Sequence, residues 1–221
     1  MLTDSQIQSN KIEFLNELSN VKREGIDSLI EWLSSPDPNV CDFFIAPSSA
    51  SFHGNFKGGL CLHSLNVYKC LVSLREQYYK IMELKGKSNL IVKIPDDSCR
   101  VAALLHDLCK VNFYKEADKW YKDENNMWQK YTGYSIDDKF PFGHGEKSVF
   151  MIQRFMNVNG AEALAIRWHM GTSEIATQLD NDYKFAFSKA WDTCPLAYLL
   201  HQADSMASFL LEDKVEAPNK H

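Results

Sequence analysis

The 221-residue sequence has no apolar run near the roughly 20 residues that a membrane-spanning helix needs; Val101 to Leu105 is typical of its longest. It has no excess of positive charge. With 24 Lys+Arg against 29 Asp+Glu, a net of -5, it lacks a chain-wide field for duplex nucleic acid. Its six cysteines (Cys41, Cys61, Cys70, Cys99, Cys109, Cys194) include no C-x-x-C pair, and the first thirty residues lack the apolar core of a signal peptide. A reduced, cytoplasmic setting away from membranes is therefore expected. No Gly-x-Ser-x-Gly elbow, Walker-type loop or pair of Gly-rich turns is present, which removes the common nucleophile and phosphate-loop chemistries. No repeat, linker or low-complexity tract divides the chain, so one domain over 1–221 is expected, with a motif-bearing core at 53–212.

The rest is globular in composition: 45% hydrophobic, 12% aromatic and 24% charged, which excludes disorder for the whole. Helical periodicity dominates. It begins with Ile7, Phe14, Leu15 and Leu18, continues with Ile26, Leu29, Ile30 and Leu33, and stops at Pro36 and Pro38. The small-residue stretch 46–51, with His53-Gly54 and Gly58-Gly59, reads as an ordered loop feeding a long helix from Leu60 to about Lys85-Gly86, whose apolar stripe is Val67, Leu71, Leu74, Tyr78 and Ile81. Pro95-Asp96-Asp97 suits a first turn, opening a helix that runs to His106-Asp107. Further helices are expected at His144 to Met156, Ala161 to His169 and Pro195 to Glu212, and a loose tail from Val215 to His221.

Residues 113–140 break this pattern. They hold eight of the 27 aromatics and alternate around Asp123-Glu124-Asn125-Asn126, the signature of a β-hairpin inserted in an all-α domain. Five Lys against six Asp+Glu make it no electrostatic funnel. Trp120, Trp128, Tyr131 and Tyr134 are read as packing the hairpin on the domain in preference to forming a platform for bases. Asp180-Asn181-Asp182 lacks the rest of a calcium loop and is read as a turn.

The histidines carry the chemistry. His53, His63, His106, His144, His169 and His201 sit at helix ends or on core-like stretches, where an unpartnered imidazole costs several kcal/mol. His106-Asp107 directly follows five apolar residues. A divalent ion is a suitable partner, and imidazole with carboxylate suits Fe, Mn, Zn, Co or Ni, whereas the unclustered cysteines read as core. His201, three residues before Asp204, reads either as a donor orienting a ligand or as core.

The ordered set Gly58-Gly59-Leu60-Cys61-Leu62-His63, His106-Asp107-Leu108-Cys109-Lys110, Gly143-His144-Gly145-Glu146, Trp168-His169-Met170-Gly171 and His201-Gln202-Ala203-Asp204 resembles the HD-domain superfamily of metal-dependent phosphohydrolases over residues 53–204. The resemblance implies an all-α helical bundle in which His63, His106, Asp107 and Asp204 hold one metal. It implies that His144 and His169, with Asp107 bridging, hold a second. His169-Met170 departs from the two adjacent histidines of some dinuclear members. Such a site implies hydrolysis of a nucleotide or short oligonucleotide phosphoester by a metal-bridged hydroxide. Lys110, and by the same reading His53 and Lys147, are candidate phosphate contacts, with a plain ion pair or hydrogen bond as the other possibility for each. The ligand set is also similar to that of HD-fold di-iron oxygenases of a small polyol or phosphonate, and a catalytically silent nucleotide-binding module is a third reading. No partner surface or oligomeric state is assigned.

Overall fold

A computed structural model of the chain describes residues 1–171 and 181–215. Among the described residues, eight α-helices and one two-stranded hairpin follow in the order α1 (Asp4–Ser19), α2 (Ile26–Leu33), α3 (Gly59–Leu84), α4 (Asp96–Leu105), β1 (Tyr114–Lys122), β2 (Trp128–Ile136), α5 (His144–Gln153), α6 (Gly160–Trp168), α7 (Asn181–Thr193) and α8 (Pro195–Met206). The all-α architecture with an inserted hairpin is the one expected. Among the described residues no helix is long and apolar enough to cross a membrane.

One contiguous core runs from Phe14 of α1 to Ala207 beyond α8 and includes Leu60, Leu65 and Leu71 of α3 and Val101 to Leu105 of α4. The long helix α3 is buried only along its first half. Val67 and Leu71 are sealed, but Ile81 is 55% exposed: past Leu71 only Leu74 and Tyr78 still pack on the core, while Arg75, Tyr78 and Tyr79 bond residues between Val92 and Cys99. The expected apolar stripe therefore ends earlier than its periodicity suggests.

Local chemistry sets the helix ends near the site. Gly58 caps α3 at a left-handed φ of 82°, and a Cβ at Gly59 would lie 2.0 Å from the Gly54 carbonyl oxygen, so the glycine pair lets the 46–57 loop press on the start of α3. In α6, Asn159 and Glu162 form a capping box. Glu162, fully buried, also takes two hydrogen bonds from Arg23 (2.7 and 2.6 Å) and one from Ser98 (2.7 Å), tying α6 to α4 and to the α1–α2 connection.

Three expectations are corrected. Residues 181–193 form helix α7, whose Tyr183 and Phe187 pack with Trp168 and Ala190; Asn181 and Asp182 open it where a turn was read, and Asp180 lies outside the described residues. The helix from Pro195 is α-helical only to Met206 and continues as a π-turn through Ala207–Leu211. The tail is not loose at its start: Val215 exchanges hydrogen bonds with the Asn55 side chain (2.7 and 2.8 Å), and Gly54 N donates to Asp213 O. Residues 216–221, with His221, lie outside the described residues.

Candidate metal centre

Five helices deliver side chains to one point. His63 comes from the first turns of α3, His106 and Asp107 from the end of α4, His144 from the start of α5, His169 from the end of α6 and Asp204 from α8. Asp107, 1% exposed, is the centre. Its Oδ2 faces Nε2 of His63 (3.5 Å) and His106 (3.4 Å) and Nζ of Lys110 (2.6 Å), and its Oδ1 faces Nε2 of His144 (2.7 Å) and His169 (3.6 Å). Asp204 Oδ1 lies 3.2 Å from His63 Nε2, and the His63 and His106 Nε2 atoms are 3.2 Å apart.

The opposite ring nitrogens are anchored. His106 Nδ1 meets Ala103 O at 2.8 Å and His169 Nδ1 meets Ile166 O at 2.7 Å, each a carbonyl one turn back in its own helix. His63 Nδ1 meets Glu212 (3.1 Å), and His144 Nδ1 meets Cys109 Sγ (3.2 Å). A carbonyl can only accept, so Nδ1 of His106 and His169 carries the proton and Nε2 presents a lone pair. His169 Nε2 has no hydrogen-bond partner among the described residues, is buried, and points at a carboxylate oxygen. A bound cation would satisfy buried acceptors that face one another in this way, as Nε2 of His106 and of His169 face the Asp107 oxygens. The donor set therefore fits divalent metal.

Electrostatics agree. Burial alone would raise the carboxyls of Asp107, Asp204 and Glu212, yet all three are held well below the usual range: Asp107 by Lys110, His106 and His144, Asp204 by His63, and Glu212 by His53 and His63. Burial depresses His106. It would depress His63 too, but hydrogen bonds to Asp204 and Glu212 outweigh it and raise His63 to about 10.

The centre forms the floor of a cavity of about 600 Å³, walled by Ser48, Phe52, Tyr114, Ile136 and Phe209. Lys110 and His53 line it. His53 stands beside the cluster and outside its convergence, with Nδ1 2.8 Å from Glu212 and Nε2 3.3 Å from Ser208 Oγ. Lys147 is not brought to the cavity; its ammonium bonds Asp138 (2.6 Å) and lies over the Phe113 ring. His201 bonds the His169 carbonyl (2.6 Å) and packs on Trp191, so it fixes the backbone that carries His169.

Glu212 escaped the sequence reading, although Asp204, Ser208 and Glu212 recur every four residues, the spacing of one helix face. Cys109 and Asn66 escaped because each acts on another side chain: Cys109 on His144, Asn66 on Glu212 (3.1 Å).

A helical domain whose imidazoles and carboxylates converge on one buried carboxylate has the donor set of a divalent-metal-binding protein. The HD-domain family model matches residues 62–208, and the chain belongs to that family, within a superfamily of metal-dependent phosphohydrolases. No curated protein and no solved structure matches it. His53 and Glu212 lie outside the matched span.

Proposed function

We propose that the protein is a cytoplasmic phosphohydrolase, one functional unit over 1–221, that cleaves a nucleotide or short oligonucleotide phosphoester with two divalent ions. His63, His106, Asp107 and Asp204 would hold one ion, and His144, His169 and the shared Asp107 the other. The observation that carries this reading is the pair of faces on Asp107, each oxygen met by its own imidazoles. Ions in such a site supply an activated water and neutralise charge on phosphoryl oxygens.

The chain's own groups do the rest. Lys110, 8% exposed and paired to Asp107, presents its ammonium where a phosphate oxygen would lie, and His53 offers a second donor at the wall. Phe52, Tyr114 and Phe209 give the mouth an apolar rim suited to a base. Asp107 and Lys110 are the residues assigned to catalysis, and Lys147 acts only if it leaves Asp138.

The test is metal content and turnover of protein purified under low oxygen without chelator or metal-affinity resin. About two ions per chain, with manganese, cobalt or nickel supporting phosphoester cleavage, is expected. Iron with O₂ uptake, or no cleavage after saturation with each ion, overturns it.

A further inference from the structure

The hairpin leads away from the cavity, and its two faces differ. Register pairs Tyr114 with Ile136, and both line the cavity. Alternation places Glu116, Asp118, Trp120 and Lys122 on the face of Tyr114, opposite Tyr134, Thr132, Lys130 and Trp128. The other face spends its aromatics internally, with Tyr121 and Tyr131 edge to face at 6.0 Å. Trp120 and Trp128 do not: they are 60% and 63% exposed, which corrects the expectation that they pack on the domain.

The exposed face has a specific chemistry. Lys122 Nζ lies 5.3 Å over the Trp128 ring, and Lys130 pairs with Asp118 at 2.7 Å, so its two lysines offset Glu116 and Asp118 and the face is neutral. A strand rises about 3.3 Å per residue, so Trp120 stands roughly 20 Å from Tyr114. That is beyond the reach of a mononucleotide whose phosphate is at Asp107. An extended ligand with repeated flat, stackable groups fits the whole run.

We propose, resting on the phosphohydrolase reading, that the substrate is a single-stranded oligonucleotide whose end enters the cavity while bases further along stack on Trp120 and Trp128. Water adds to the phosphorus of the last internucleotide phosphodiester, the P–O bond joining the terminal nucleotide to the rest of the strand breaks, and the water's proton ends on the departing oxygen, releasing one nucleotide and a shortened strand. Because the face is neutral, stacking dominates and salt dependence is shallow, near the slope for one or two phosphates.

The test is fluorescence anisotropy with labelled DNA and RNA single strands of roughly ten nucleotides, EDTA being added to the binding assay alone to stop turnover. Wild type is expected to bind at least one of the strands, with duplex failing to compete. Trp120→Ala/Trp128→Ala should weaken binding about tenfold or more, and Trp120→Phe/Trp128→Phe should restore most of it. Both tryptophans are exposed, so a retained thermal midpoint will show that the variants fold. No binding by wild type, or equal binding by the alanine variant, overturns the proposal. Loss of all phosphoester cleavage with hairpin-dependent binding intact would instead sink the reading of the reaction and leave this inference standing.

Discussion

Asp107 meets four imidazoles and one ammonium, so its removal acts on all four ligand histidines and on Lys110. Asp107→Ala is expected to abolish metal retention and turnover while far-UV circular dichroism remains helical; near-normal activity would contradict the assignment. Glu212 works at one remove, anchoring Nδ1 of His63 and His53. Glu212→Gln should lower metal affinity about 10- to 100-fold, the usual cost of losing a group that orients a ligand, as read by competition with a chromogenic chelator. The histidines were readable from sequence because a buried imidazole needs a reason. Glu212 and Cys109 were not, because each is defined by what it touches: Glu212 by rings some 150 residues away in the chain, Cys109 by His144.

Helix contacts set the geometry of the centre. Gly145, buried in the first turn of α5, sits against α6, and a Cβ there would lie 2.6 Å from the carbonyl oxygens of Ile166 and Arg167. Gly145→Ala should push α5 off α6, separating His144 from His169. The expected outcome is a fall in metal stoichiometry towards one ion per chain in a folded protein, measured by elemental analysis. At the other end of α6, Arg23→Ala would leave the Glu162 carboxylate buried without its cation, and a loss of about 3 kcal/mol in urea unfolding is expected. Periodicity made α1 to α6 and α8 readable, and Pro195 marks its helix as proline at a first turn should. Helix α7 is not evident from sequence although Tyr183, Phe187, Ala190 and Trp191 keep helical spacing; its apolar face is short, Tyr183, Phe187 and Ala190 packing with Trp168 and Trp191 with Tyr198 and His201 of α8.

Charge at the centre makes the whole molecule's stability depend on pH. Stripped of divalent ions, the fold holds His63 protonated, its pKa raised from 6.5 to about 10. A raised pKa gives stability that is complete below about 6.5 and lost as pH climbs through 10. The depressed carboxyls of Asp107, Asp204 and Glu212 give stability present above about 4 and lost below it. Buried His106, its pKa depressed, acts the other way from His63 and loses stability as pH falls below about 6.5, so the metal-free protein should melt highest at about pH 6.5. Manganese should raise its midpoint more at pH 9 than at pH 5, where protons compete for the same nitrogens. An equal gain at both would count against ligation by His63. Scanning fluorimetry across pH reads this directly.

The six unpaired cysteines are all buried, and they are spread from the loop before α3 (Cys41) through α3 (Cys61, Cys70), α4 (Cys99) and the metal floor (Cys109) to the start of α8 (Cys194). Burial also lifts the Cys41 and Cys99 thiols to about 11. Alkylation of any of them must therefore await a local opening. The protein carries its own set of six clocks: the order in which iodoacetamide marks them, read by mass spectrometry, gives the order in which parts of the bundle come apart.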